Sequence, residues 1–412
     1  MQSNPRHFWR NANLLKVLIG ETISDLGSQV GDLALPLLAA LSLGVTPAQM
    51  AVLLSADYIP RVVVGLLATG WIDRIRRRPV LISANVIRAA VLAAVAGASA
   101  SRLLNAELLY AAGMTLAALD VVFTTTFVAY LPSLTEPTAL ISVNAARATT
   151  SAGAGVVGPA AAGALIALLG APVAVAIDSA SFLASVGGLT LVRTREAVPV
   201  RRTPEHHILA EIAEGWRGLM TQPVLRAIAA TAFSANFFYR IIMSVYVLYL
   251  TRGLGLSPAI IGIVFGVGGG LGVLIGSAGA SAIAGRLGIG RTMIAAHLLF
   301  GIFGLPLAAS VAVPRWGAPL VFASEFAQLA ANAVYMVNRT SLERVLAPEH
   351  LRGRIQACRT VVHAVAGLLG LVVGGIVGEQ LGPGVAIATG VIGGLTSFVW
   401  LSASPIGGVK DL

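Results

Sequence analysis

At 412 residues, 56% hydrophobic and only 11% charged, the chain is too poor in charge for a water-soluble domain, which carries roughly a quarter charged residues. A formal net charge of +10 would suit a nucleic-acid binder, but here the basic residues stand in short clusters between long apolar runs, which excludes that class and points to a lipid bilayer as partner. The single cysteine, Cys358, excludes an intramolecular disulfide and a Cys-rich metal site.

Residues 1–13 are polar, and the first apolar stretch is long enough to read as a mature span rather than a signal peptide. Stretches of helix-spanning length follow at about 14–41, 47–70, 79–99, 106–131, 139–169, 171–192, 223–250, 258–284, 291–312, 317–340, 354–378 and 383–404. Helices are the expected form because an open strand edge has no hydrogen-bond partner in lipid. Loop 70–79 holds Arg74, Arg76, Arg77 and Arg78, loop 193–222 holds five arginines, and loop 341–354 holds Arg344, Arg352 and Arg354. The alternate loops hold one arginine at most, so both termini and the middle loop are expected on the cytoplasmic side. The polar stretch 193–222 divides the chain into an N-terminal six-helix bundle, 1–192, and a C-terminal one, 223–412. An offset of 212 residues aligns Arg147 with Arg359 and places Gly155, Gly158, Gly163 and Gly170 on Gly367, Gly370, Gly375 and Gly382. Two parallel repeats joined by a cytoplasmic linker predict an all-α membrane protein of twelve helices in two pseudo-symmetric bundles.

Gly70-Trp71-Ile72-Asp73-Arg74-Ile75-Arg76-Arg77-Arg78 resembles the loop motif between helices 2 and 3 of the major facilitator superfamily. Gly158-Pro159 with Gly163 is similar to the motif of that superfamily's drug/proton antiporters, with Ala162 where a paired glycine is usual. Leu131-Pro132-Ser133-Leu134, Asn144-Ala145, Ile177-Asp178-Ser179-Ala180-Ser181-Phe182 and Arg352-Gly353-Arg354 resemble the branch of macrolide-efflux and enterobactin exporters. The resemblance implies the major facilitator fold and secondary active export of an amphipathic small molecule by proton antiport and alternating access. It further implies a monomer in the bacterial cytoplasmic membrane, without a cofactor or metal. A lipid translocase or a nutrient uniporter or symporter is the alternative on the same fold. In the loop motif, Asp73 can accept from the N-terminus of a facing helix and the arginines can bind neighbouring carboxylates, so Gly70, Asp73, Arg74, Arg78 and Arg88 are expected at a cytoplasmic gate.

A charge at membrane depth costs at least about 2.5 kcal/mol and so needs a partner or a task. Charges shared by the two halves read as architecture, and unmatched ones as function. Arg147 and Arg359 are matched and expected in structural ion pairs, with Asp120 as a partner for Arg147. Glu21, Asp25 and Asp32 in the first span are unmatched and fall within an arc of about 40°, a stripe that cannot face lipid. A carboxylic acid in an apolar cavity favours its neutral form, which suits proton binding and release, so these three are the expected proton-coupling residues. Asp57 and Arg61, spaced i, i+4, and Asn236, Phe237, Tyr239 and Arg240 in the seventh span are the expected substrate-binding residues. Asp178 has no evident partner. Glu325, Asn332 and Asn338 read as polar packing, and His297 and His363 as packed side chains rather than metal ligands. The sequence contains no P-loop, no His-Glu-x-x-His and no Gly-x-Ser-x-Gly with triad partners, so neither an enzyme nor an ATP-driven pump is expected.

Overall fold

The computed structural model describes residues 11–61, 63–64, 75–135, 139–193 and 208–409, and among these residues no strand occurs. Eleven described helices are long and apolar enough to cross a membrane. In the first half these are α1 (Ala12–Leu43), α3 (Arg77–Ala100), α4 (Ala106–Ser133), α5 (Leu140–Leu169) and α6 (Ala171–Thr190), with the shorter α2 (Pro47–Ser55) between α1 and α3. In the second half they are α8 (Pro223–Gly253), α9 (Pro258–Leu287), α10 (Ile289–Ala312), α11 (Pro314–Leu346), α12 (Glu349–Leu381) and α13 (Pro383–Ser402).

The helix starts are written in the local sequence. Asn11 caps α1 by accepting from the N–H groups of Asn13 and Leu14, both at 3.1 Å, and its own amide reaches the Leu134 carbonyl at 2.7 Å. Asn105 caps α4 from Leu108 N–H at 2.9 Å. The predicted span 47–70 is interrupted: α2 ends at Ser55, residues 56–57 form a turn, and helix resumes at Tyr58. Pro60 explains the break, because it has no N–H to give to the Ala56 carbonyl and its ring crowds that group.

The offset of 212 residues recurs in the backbone. Leu140–Leu169 corresponds to Arg352–Leu381, and each helix is 30 residues long. Gly170 and Gly382, which follow them, share a conformation (φ 85°, ψ 157° and φ 91°, ψ 155°) that a side chain would strain. The helices α1 and α8 also end alike, each in five residues of π-helix, Ala39–Leu43 and Tyr249–Gly253.

The chain packs as two compact units, one drawn from Met1–Val45 and Ala56–Pro204, the other from Thr46–Ser55 and Glu205–Leu412. In the first unit α1 lies against α5 and α6, and α3 against α4 and α6. Close approach of α1 and α6 depends on missing side chains: a Cβ on Gly188 would stand 2.4 Å from the Lys16 carbonyl oxygen. Leu14, Leu81, Phe127, Tyr130, Val143 and Leu189 form the apolar core at one end of this unit. In the second unit α8 lies against α12 and α13, and α11 against α9 and α10. Here Gly370 admits the Phe237 carbonyl, which would stand 2.2 Å from a Cβ. The segment Thr46–Ser55 joins this unit through α12, where the Ala48 N–H donates to Glu379 Oε2 at 3.2 Å.

The stretch 193–222, expected as a polar linker, is partly helical. Ile208–Thr221 forms α7, which docks on α12. Glu214 pairs with Arg354, and Leu219 joins Leu225, Ile355 and Cys358 in an apolar cluster. The helical period of apolar residues at one face gives this segment a surface to bury despite its overall polarity.

Candidate functional site: polar networks inside two helical units

In the first unit, the charged side chains of the spans converge on Asp120. Its Oδ1 accepts from Arg88 Nη2 at 2.7 Å and its Oδ2 from Arg61 Nη1 at 3.2 Å. Arg61 Nε also donates to Asp57 Oδ2 at 2.6 Å, as the i, i+4 spacing predicted. Three helical segments are thereby tied through one carboxylate. The Arg88 side chain is 7% exposed, whereas Asp57, Arg61 and Asp120 are all more than 40% exposed, so the network has a buried end and an open end. The buried guanidinium lies 5.2 Å from the centroids of both Phe123 and Phe182, and a further bond runs to Asn85 at 3.4 Å. Asn85 donates to Ser185 Oγ at 2.8 Å, and Ser185 donates in turn to Glu21. Arg88, expected at a cytoplasmic gate, therefore belongs to this network.

The three acids of α1 differ in their surroundings. Glu21 is buried and held by Ser185, Asp25 accepts from Ser151 at 3.0 Å, and Asp32 is accessible and within electrostatic reach of Asp57, Asp120 and Arg61. Asp178, on α6, is buried against α1: a Cβ on Gly31 would stand 2.0 Å from its Oδ2, and Ser181 donates to its Oδ1 at 3.3 Å.

The expected pairing of Asp120 with Arg147 is not formed. Arg147 instead lies 4.4 Å from the centroid of Phe127, and Asp120 is occupied by the two arginines of neighbouring segments. The counterpart Arg359 does form an ion pair, with Glu343, which also lies 3.6 Å from Arg339. The matched arginines thus keep their places in the repeat but not their partners, since Phe127 is replaced by Arg339 and Leu131 by Glu343 in the second half.

Of the expected gate residues, Gly70, Asp73 and Arg74 lie outside the described residues. Arg78 donates to the Leu189 carbonyl at 2.9 Å and the Thr190 carbonyl at 2.8 Å, closing the C-terminus of α6 where a cation is favoured. Gly158 sits where α5 meets α1, a Cβ there standing 2.4 Å from Gln29 Cβ, with Pro159 next to it and Gly163 buried one turn further on.

In the second unit a cavity of about 470 Å³ opens among α8, α10, α11 and α12. Asn236, Tyr239 and Arg240, three of the expected substrate-binding residues, line it. Phe237 does not: it follows Asn236 by 100° around α8, and its ring packs on Phe238 at 5.1 Å. Asn236 ties α8 to α12 by donating to the His363 carbonyl at 2.7 Å. Arg339, Arg359, Gln356 and His363 also line the cavity. Arg339 was hidden by its place near the end of a predicted span, where an arginine reads as topology. Its spacing of i, i+4 from Glu343 was the available signal. His297 bonds to Ser397 Oγ at 2.9 Å, and buried Glu325 accepts from Tyr246 at 3.0 Å, polar packing of the expected kind.

The sequence signature of the Major Facilitator Superfamily matches residues 17–338. The chain belongs to the Major Facilitator Superfamily. It is a multi-pass membrane transporter and not an enzyme. No curated protein matches it in sequence. Among solved structures it is similar to a bacterial homologue of the iron transporter ferroportin in its inward-facing state, with a TM-score of 0.73 at 17% identity over 95% of this chain and 98% of that one. It is also similar to the nucleoside transporter NupG, with a TM-score of 0.70 at 13% identity over 95% and 98% of the two chains. A bacterial homolog of the human lysosomal transporter Spinster, inward-facing and unoccupied, gives a TM-score of 0.63 at 14% identity over 98% and 96%. These likenesses carry the major facilitator fold, on which a transporter of this family handles small molecules within the bilayer.

Proposed function

We propose that this transporter is a proton-coupled exporter of an amphipathic small molecule. One observation carries the reading: in the interior of the first unit's spans, leaving out charges near their ends such as Lys16, Arg77, Arg78 and Glu107, six carboxylates, Glu21, Asp25, Asp32, Asp57, Asp120 and Asp178, accompany three guanidiniums, Arg61, Arg88 and Arg147. An excess of negative charge within membrane helices is costly, and proton binding offsets it without another partner. Asp57 and Asp120 are already engaged by arginines, which leaves the three acids of α1 and Asp178 on α6, and the reading takes the α1 acids as the exchangeable sites. In this reading Asp25, Glu21 and Asp32 take up protons from outside and return them to the cytoplasm. On the first unit the open Asp57–Arg61 pair contacts substrate; on the second, Asn236, Tyr239 and Arg240 do.

The outward direction is supported by the antiporter-like Gly158-Pro159 and Gly163, and the choice among exporters by the segments similar to macrolide-efflux and enterobactin proteins. The arginine-rich loops support a bacterial cytoplasmic membrane with both termini inside, and two six-helix halves joined through 193–222. Cycling is by alternating access of a monomer.

The test is transport into proteoliposomes under an imposed pH gradient, with a panel of lipophilic dyes, macrolides and siderophores. An acidic lumen should drive uptake of at least one compound above its equilibrium level, and a protonophore should abolish it. Uptake that ignores the gradient, or runs only downhill, overturns proton antiport.

A further inference from the structure

We propose that Asp178 is a further proton-exchanging residue of the first unit, seated in a slot that two glycines of α1 open for its carboxylate. The inference deepens the proton-coupled reading and rests on it only for the proton's being tied to transport. Asp178 lies near the middle of α6 and is 4% exposed. Its carboxylate crosses to α1, where a Cβ on Gly31 would stand 2.0 Å from Oδ2 and one on Gly27 would stand 3.1 Å from Oδ1. Polar partners are scarce there. The Ser181 hydroxyl makes its shorter bond, 2.7 Å, to the Asp178 carbonyl and reaches Oδ1 only at 3.3 Å. Among the described residues Oδ2 accepts no hydrogen bond and neither oxygen forms an ion pair. A carboxylate so placed within a membrane span is costly, and a proton on Oδ2 removes the charge without another partner.

The helices packed on α6 are α1, α3 and α5, and their charges leave this carboxylate without a bonded counter-ion. On α1, Lys16 donates to the Leu191 carbonyl at 3.3 Å, Glu21 accepts from Ser185 and Asp25 accepts from Ser151 at 3.0 Å, while Asp32 bears on Asp178 as a like charge. On α3, Arg77 and Arg78 stand in the first turn, at the end of the span, and Arg88 attracts Asp178 from a distance, its guanidinium being bonded to Asp120 at 2.7 Å. The one charge on α5, Arg147, lies over Phe127. The repeat argues against a packing role. At the 212-residue offset Gly390 stands for Asp178, and the corresponding helices α8 and α13 meet through a side chain from the other partner: a Cβ on Gly390 would stand 2.4 Å from Ile242 Cγ1. An apolar side chain thus makes that contact in the second unit, and the first unit spends a carboxylate on it. Exchange proceeds through water: the O–H bond forms on Oδ2 as water gives up the proton and breaks as water takes it back. At 4% exposure this requires α1 to part from α6 at Gly27 and Gly31.

The purified full-length transporter in a neutral maltoside detergent is followed by infrared difference spectroscopy between about pH 5 and pH 9. One protonated-carboxyl C=O band of the wild type, fading as the pH rises, should be missing from Asp178→Asn. Gly31→Ala, which puts a methyl group where Oδ2 stands, should shift or broaden that band, and Gly153→Ala, whose Cβ meets nothing within 4 Å, should leave it as in the wild type. Melting followed by circular dichroism adds a sign. A proton bound by the folded protein is lost as the pH rises, so the wild type should lose stability relative to Asp178→Asn, at a limiting slope of about tenfold in the folding equilibrium per pH unit. A carboxylate kept charged for a structural bond gives the opposite sign, with Asp178→Asn weakest at high pH, and overturns the proposal. Identical carboxyl spectra in the wild type and Asp178→Asn overturn it too. If Asp178→Asn does not fold, Gly31→Ala decides: an unaltered band there overturns the proposal. Loss of the band in Asp178→Asn without pH-driven transport in the wild type removes the coupling reading and leaves this one standing; pH-driven transport with an unaltered band does the reverse.

Discussion

Asp120→Asn tests the network of the first unit where it bears most load. The substitution keeps the shape of the side chain and removes the charge shared by Arg61 and Arg88. Breaking a fully buried ion pair costs about 3–5 kcal/mol, and a surface pair contributes about 0–1 kcal/mol. Arg88 is 7% exposed but Asp120 is 41% exposed, so solvent screens one side of the pair and about 2 kcal/mol is the expected loss. For a unit of this size that corresponds to roughly 4–8 °C in melting temperature. Asp57→Asn is the control. Its pair with Arg61 has both partners close to half exposed, and the loss should be about 0.5 kcal/mol. Thermal unfolding of the purified protein, followed by circular dichroism, ranks the variants. The double variant Asp120→Asn with Arg88→Gln should recover part of the loss, because the buried charge goes with its partner. Equal melting shifts for Asp120→Asn and Asp57→Asn, or no recovery in the double variant, would refute the assignment of Arg88 to Asp120.

Other substitutions probe separate features. Gly188→Ala should cost about 1–3 kcal/mol, because its Cβ meets the Lys16 backbone oxygen and α1 cannot move away from one side only; wild-type melting would show that the two helices have slack. Arg78→Gln removes both bonds to the end of α6 and should cost about 1 kcal/mol, with Arg78→Lys intermediate, as read by melting temperature. Asp25→Asn can keep a hydrogen bond to Ser151 but cannot release a proton, so it should bind substrate yet fail to concentrate it in the pH-gradient assay. Wild-type uphill transport in that variant would remove Asp25 from coupling.

The spans and their duplication were legible because both depend on quantities that a sequence displays directly: apolar length and a repeated distance. The polar contacts were only half legible. Depth along a helix follows from residue number, so Asp120 was rightly sought opposite an arginine. Which way each helix turns about its axis does not, and the arginines found there are Arg61 and Arg88 rather than Arg147. The cavity of the second unit was obscured differently. Hydropathy ended the tenth span near 340, since Glu343 and Arg344 look like loop, whereas α11 runs to Leu346 and carries those residues as helix. The interruption after Ser55 was signalled by Pro60 alone and was masked by the apolar run around it.

That interruption also places a polar demand inside the bilayer. Pro60 leaves the Ala56 carbonyl without its usual helical donor, and the next rung, from Arg61 N–H to the Asp57 carbonyl, is long at 3.4 Å. Backbone oxygen in this condition is not tolerated against hydrocarbon chains. The turn at 56–57 therefore calls for polar partners other than lipid, and the half-exposed Asp57 and Arg61 stand beside it. A ligand that settles on Asp57 and Arg61 has to replace the hydrogen bonds these side chains otherwise make, so its affinity depends as much on that exchange as on its own apolar surface.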